Sequence, residues 1–282
     1  MLEQSPVFSP ARAAVWMMGA LFCMVLFMGI ASTVNPDVIE DQVSLGALSA
    51  VSFLVVTSLL LGRYPGGQSL REAVGARATH PLLLLLAPLI GVLAQGPAEQ
   101  LRTWVTRLLP PDLRGSGVGV VIASHTRVQS AALVLVLVGL VPLAEEIFFR
   151  GAVYGSLRRS QYSSRAAAVV SAIGFTLCHV NIALLVPIGF VAAVFGVLRA
   201  SSGSLYPSLI AHMAFNAIPV VSSLASLGRI EMWAQRFALE VFLALCGTSG
   251  IFLLVAARSS RAAEGRSEEC KPPAPVRVGG GP

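Results

Sequence analysis

The stretch from Ser130 to Arg150 reads SAALVLVLVGLVPLAEEIFFR. Its first part is almost entirely apolar and, with the residues that follow, is long enough to form a membrane-spanning helix. The stretch ends with two adjacent carboxylates, Glu145 and Glu146, and with the guanidinium of Arg150. Ionisable side chains inside a membrane are energetically costly, so they indicate a functional site by default. The stretch therefore predicts a membrane helix with a polar site in it.

The composition of the whole chain agrees with a membrane protein. Of its 282 residues, 55% are hydrophobic and only 12% are charged, whereas a soluble domain has about 25% charged residues. The net charge of +6 comes from arginines at the ends of apolar runs and in the C-terminal segment. That pattern is typical of anchoring at a membrane surface, so we expect lipid contact and no nucleic-acid partner. The four cysteines have no spacing typical of a metal cage or a disulfide framework.

The apolar runs predict an all-α fold, a polytopic transmembrane bundle of about eight spans. The first run is long for the apolar part of a signal peptide, so we interpret it as a retained helix. A further helix, around Glu99–Leu109, is expected to lie at the membrane interface. The eight predicted spans are Ala13–Ser32, Val43–Leu61, Pro81–Ala94, Ser130–Phe149, Ala166–Val180, Ala183–Leu198, Tyr206–Leu224 and Phe237–Ala257.

Three of these spans contain polar residues that lipid would not tolerate. Glu146 and Arg150 are four residues apart, the spacing of an ion pair within one helix. His212 and Asn216 are also four apart, so both lie on one face of the seventh span. If the fourth and fifth spans form a hairpin that turns near Tyr162, Glu145 and His179 are equally far from the turn and lie at the same depth. The predicted constellation is Glu145, His179, His212 and Asn216.

These residue types suggest an activated water, because no serine or cysteine nucleophile accompanies them. A Glu–His unit can deprotonate a water molecule, and His and Asn donors can stabilise the oxyanion of a tetrahedral intermediate. Alternatively, Glu145, His179 and His212 could bind a zinc ion that activates the water. The sequence has no HExxH motif, so both alternatives stay open.

The motifs resemble those of a known family. Glu145-Glu146-x-x-Phe149-Arg150-Gly151, Phe175-x-x-x-His179 and His212-x-x-x-Asn216 resemble the CPBP intramembrane proteases, the group of type II CAAX prenyl endopeptidases and bacteriocin-processing (Abi) proteins. The resemblance implies a helical membrane peptidase that hydrolyses a peptide bond in a membrane-associated protein or peptide. It further implies that Glu145 activates water with His179, that His212 and Asn216 form the oxyanion site, and that Glu146 and Arg150 support them. Family members have been described as metalloproteases, which keeps zinc as an alternative.

The chain then divides into four regions and has a predicted orientation. Arginine-rich loops fall on one side of an eight-span bundle, which predicts that both termini lie in the cytoplasm. The arginine-rich, lysine-poor composition is compatible with a bacterial source, so we expect a bacterial inner-membrane protein. The regions are N-terminal helices (1–127), a catalytic core (128–224), a C-terminal helix (225–257) and a disordered tail (258–282).

Two other functions are compatible with these residues. A non-enzymatic scaffold or bacteriocin-immunity protein would use the same polar groups only to join helices. A small transporter or proton relay would use Glu and His to move protons, although the sequence shows no obvious inverted repeat.

Overall fold

The structure, a computed structural model, describes residues 7–64, 68–114 and 126–224. Within these ranges the chain forms eight helices and no strand. The predicted all-α class is therefore confirmed. The helices are α1 (Pro10–Val34), α2 (Gln42–Arg63), α3 (Leu70–Ala73), α4 (Pro81–Leu108), α5 (Arg127–Arg159), α6 (Ser164–Leu177), α7 (Leu185–Ser202) and α8 (Tyr206–Leu224).

Within the described residues, five helical segments are long and apolar enough to cross a membrane. They are α1, α2, α4, α5 and the segment Ile182–Ser202, which contains α7. Large apolar side chains such as Phe22 and Leu85 are exposed on these helices, which is typical of surfaces that contact lipid. The chain is thus an integral membrane protein with a helical bundle. The count of eight spans stays a prediction, because the expected span Phe237–Ala257 and the tail 258–282 lie outside the described residues.

Helix α4 corrects the predicted end of the third span. The sequence places that end at Ala94 and a separate interfacial helix at Glu99–Leu109, but the structure has one continuous helix to Leu108. The polar residues after Ala94 suggested a loop, yet Glu99 and Arg102 form an ion pair within the helix. Such a pair keeps both charges on one helical face, so the helix continues through them.

The hairpin expected between the fourth and fifth spans is present. Helix α5 ends at Arg159 and α6 begins after Ser163, whose side chain caps the new helix by accepting a hydrogen bond from the N–H of Ala166. Between them, the N–H of Tyr162 donates to the carbonyl of Leu157 at 3.1 Å. The predicted turn near Tyr162 is therefore confirmed.

Helix α5 has two wide π-helical segments that regular spacing did not predict. They are Val134–Leu140 and Ile147–Val153, and the short α-helical piece Val141–Glu146 lies between them. Pro142 explains the first, because proline has no N–H and its ring would clash with the carbonyl four residues earlier in an α-helix. Widening the preceding turn relieves that clash, and such π segments are frequent at functional sites.

Helix α8 is held against α4 by a close backbone approach. A Cβ on Gly91 of α4 would collide with the carbonyl oxygen of Ala211 in α8. Only glycine permits this contact, which is typical of membrane helices that pack through small residues. Because Ala211 precedes His212, the approach also fixes the position of that histidine.

Candidate active site

The two glutamates lie on the short α-helical piece of α5 and are buried. Glu145 is 7% exposed and Glu146 is fully buried. The Nη1 of Arg150 lies 3.0 Å from the Oε1 of Glu146, which is the ion pair that their spacing predicts. The Nη2 of Arg150 also donates to the carbonyl of Ala192 in α7 at 3.2 Å. Glu146 is therefore a neutralised carboxylate, whereas Glu145 has no arginine or lysine partner among the described residues.

His212 lies beside both glutamates and is 4% exposed. Its Nδ1 is 3.1 Å from the Oε1 of Glu146, and its Nε2 is 3.7 Å from the Oε2 of Glu145. A proton on Nδ1 satisfies the carboxylate of Glu146, so Nε2 is left as the basic nitrogen that faces Glu145. A separation of 3.7 Å is too long for a direct hydrogen bond, but one water molecule can contact both atoms at normal hydrogen-bond distances.

His179 lies near this cluster but is not paired with Glu145. Its Nδ1 is 2.8 Å from the carbonyl oxygen of Phe175, and no described carboxylate lies within ion-pair distance of it. The sequence pairs Glu145 with His179 by depth, whereas the structure places His212 next to that carboxylate. Equal depth does not fix the rotation of each helix about its axis, which explains the difference. The other nitrogen of His179, Nε2, remains available.

Asn216 makes a contact that sequence reasoning did not anticipate. Its Nδ2 donates to the carbonyl of Leu137 at 3.1 Å. In the π-helical segment, the N–H of Val141 donates to the carbonyl of Val136. The corresponding donor for Leu137 would be residue 142, which is proline and has no N–H. The side-chain amide of Asn216 therefore replaces the missing backbone donor and retains a second N–H.

Two phenylalanines enclose the polar cluster. The guanidinium of Arg150 lies 4.4 Å from the ring centroid of Phe175, and the ring centroids of His179 and His212 lie 4.8 and 5.7 Å from it. Phe195 of α7 stacks on His212 at 4.7 Å. The sequence places Phe175 in a motif with His179 and gives no role to Phe195. Their faces restrict water access and provide cation–π contacts for the buried arginine.

The arrangement does not provide a ready metal site. In the described ranges, no group of three His, Cys, Asp or Glu side chains is placed to hold an ion, and a catalytic zinc has three protein ligands. Glu145 and His212 are adjacent, but His179 does not complete a ligand set with them. The observed geometry thus does not fit the predicted zinc ligands Glu145, His179 and His212.

Comparison with known proteins identifies the part of the chain that carries this site. The family described as type II CAAX prenyl endopeptidase, Rce1-like, matches residues 127–218. Searches among curated proteins and among solved structures give no match. The matched segment covers about a third of the chain and contains Glu145, Glu146, Arg150, His179, His212 and Asn216. The family resemblance of the motifs is therefore confirmed: residues 127–218 are similar to the family of type II CAAX prenyl endopeptidases.

Proposed function

We propose that this protein is a glutamate-dependent intramembrane endopeptidase that hydrolyses a peptide bond in a membrane-associated protein or peptide. One observation carries the proposal. Within a segment that matches a peptidase family, the buried carboxylate of Glu145 faces the Nε2 of His212 at 3.7 Å. A free carboxylate and a basic nitrogen at this separation can hold and polarise one water molecule.

In the proposed reaction, Glu145 removes a proton from a water that also donates a hydrogen bond to the Nε2 of His212. The oxygen of that water attacks the carbonyl carbon of the substrate, and a tetrahedral oxyanion forms. Glu145 then delivers the proton to the leaving nitrogen as the C–N bond breaks, which yields a carboxylate and an amine. The proton that remains on the attacking oxygen is released when the acid product ionises.

The Glu146–Arg150 pair has a positioning role in this proposal. Glu146 accepts a hydrogen bond from His212, so it fixes the tautomer and the ring orientation of the histidine. Arg150 compensates the charge of Glu146, so a second uncompensated carboxylate does not face the substrate. The free N–H of Asn216 remains a candidate donor for the oxyanion.

Zinc remains a prediction without a step in this mechanism. Measurement of metal content in the purified wild type and in His179→Ala tests it. Stoichiometric zinc in the wild type that is lost in His179→Ala would support a metal site. The side chains of Glu145, His179 and His212 would then have to lie closer together than they do in this structure. The wild type without zinc, but with full activity, would support direct activation of water by Glu145.

The cell context follows from the same proposal. The substrate would be a protein or peptide in the same membrane, reached from the lipid or from its surface. We further propose the bacterial inner membrane, with both termini in the cytoplasm.

The direct test is a comparison of membrane-peptide termini between cells that express the wild type and cells that express Glu145→Gln. Glu99→Gln is the matched control, because Glu99 is a glutamate on α4 that pairs with Arg102 away from the site. We expect new termini with the wild type and with Glu99→Gln that are absent with Glu145→Gln. Identical termini in all three, at equal expression, would favour a scaffold that retains the fold.

A further inference from the structure

A polar cavity separate from the glutamate cluster lies where several helices end. Its volume is about 460 Å³, and it is formed by the ends of α5 and α7, the beginning of α6 and the segment around α3. Four arginines and one glutamate are among the lining residues. The charged residues are Arg77, Arg158, Arg159, Arg199 and Glu72.

The arginines of this cavity outnumber its one carboxylate, Glu72, which interacts electrostatically with Arg77. None of the four forms an ion pair with a carboxylate in the described part of the chain. Glu72 is instead engaged in a capping box, where its carboxylate accepts hydrogen bonds from the N–H and hydroxyl of Ser69 at 3.0 and 2.9 Å. These bonds hold the pKa of Glu72 below its usual value, so it carries one negative charge at neutral pH. One carboxylate against four guanidinium groups leaves the cavity strongly positive.

Arg199 gives the most direct support for an anion site. It is 4% exposed, and its Nε donates to the carbonyl of Arg150 at 2.9 Å. Its guanidinium lies over the ring of Tyr154 at 4.4 Å. Its two terminal amino groups have no hydrogen-bond partner among the described residues. Burying a guanidinium without a counter-charge is costly, and an anion in the cavity would compensate for that cost.

We propose that this cavity binds a phosphate-bearing anion. The guanidinium group of arginine matches phosphate oxygens with paired hydrogen bonds. Four arginines line this cavity, whose volume is about 460 Å³. The cavity lies where membrane helices end, which is the level of lipid headgroups. An anionic phospholipid headgroup and free inorganic phosphate share the required chemistry, and the experiment distinguishes these two sources.

Occupancy would also stabilise the adjacent part of α5. Arg199 holds the backbone of Arg150, and the side chain of Arg150 holds Glu146. A ligand that binds only the folded protein raises its stability by mass action. The proposal therefore has a readout that does not depend on peptidase activity.

The test uses the purified full-length protein in detergent and measures its apparent Tm. The additions are phosphatidylglycerol, phosphatidylcholine and inorganic phosphate, each tested alone. The test variant is Arg77→Gln/Arg158→Gln, which changes two exposed cavity residues. The matched control is Arg12→Gln/Arg63→Gln, which removes the same charge from two exposed arginines outside the cavity.

We expect phosphatidylglycerol to raise the Tm of the wild type and the control by about 2–4 °C or more, with a much smaller shift in the test variant. The same pattern with inorganic phosphate would identify the free ion as a sufficient ligand. Equal shifts in the test variant and the control would overturn the proposal, as would equal shifts with phosphatidylcholine. If the test variant does not fold, native mass spectrometry of the wild type provides the test instead. Binding of phosphatidylglycerol that is no stronger than binding of phosphatidylcholine would contradict the site.

Discussion

His212 and Glu146, which are 66 residues apart in the chain, are joined by a 3.1 Å contact between Nδ1 and Oε1. The contact connects α8 to α5 in the interior of the bundle. Because Glu146 also pairs with Arg150, one carboxylate orients the histidine and compensates the arginine. The two adjacent glutamates therefore have different environments, and we expect different consequences when each is changed.

Glu146→Gln should destabilise the protein more than Glu145→Gln. The change leaves the buried guanidinium of Arg150 without a counter-charge, and breaking a buried pair costs about 3–5 kcal/mol. Glu145 has no such partner, so its amide variant should unfold close to the wild type. Thermal unfolding of the three purified proteins checks the order. Equal Tm values for the two variants would show that the Glu146–Arg150 pair does not hold the core.

Asn216→Ala should destabilise the wild type, because it leaves the carbonyl of Leu137 without a donor. The cost of an unsatisfied polar group is about 1–3 kcal/mol. In a Pro142→Ala background, residue 142 regains its N–H and can bond that carbonyl. The cost of Asn216→Ala should therefore be smaller there, and a double-mutant cycle of unfolding free energies measures the difference. An equal cost in both backgrounds would contradict the link between the proline and the asparagine.

Apolar run length was sufficient to predict much of this fold, because hydrophobic stretches long enough to cross a bilayer are a strong signal. The runs predicted the helices and the hairpin turn near Tyr162. The four-residue spacing of Glu146 and Arg150 predicted their ion pair. The end of α4 was missed, because charges inside a helix can pair with each other and do not require a loop. Glu99 and Arg102 make such a pair.

The residues of the candidate site were visible in the sequence, but apart from the Glu146–Arg150 pair their contacts were not. Depth along a helix can be counted from a turn, whereas rotation depends on side-chain packing between helices. For that reason His212, and not His179, lies beside Glu145. The π-helical segments alter that rotation further, and Pro142 is a local signal for the first of them. Phe195 was missed because a phenylalanine in an apolar run has no signal that separates it from packing residues.

Gly91→Ala should destabilise the bundle and impair the site together. A Cβ there collides with the carbonyl of Ala211, so α4 and α8 must separate and His212 must move. Overpacking of this kind costs about 1–3 kcal/mol. Gly29→Ala is the control, since a Cβ at Gly29 meets nothing within 4 Å. Thermal unfolding of both variants checks this, and equal Tm values would contradict the close approach.

His212→Ala should lower peptidase activity more than His179→Ala. His212 contacts both glutamates, whereas His179 bonds a backbone carbonyl. Cleavage rates of the two folded variants on the same substrate give the order. A larger loss for His179→Ala would support the pairing implied by the family motifs and would contradict the one proposed from the geometry.

The most direct test of the account is the turnover of purified protein in lipid vesicles, measured for the wild type, Glu145→Gln and the control Glu99→Gln. The substrate would be one identified from the comparison of membrane-peptide termini. If Glu145 is the base that activates water, its amide should lower the rate by about 10²–10⁴-fold, and Glu99→Gln should match the wild type. A Glu145→Gln rate equal to that of the wild type would show that another group activates the water.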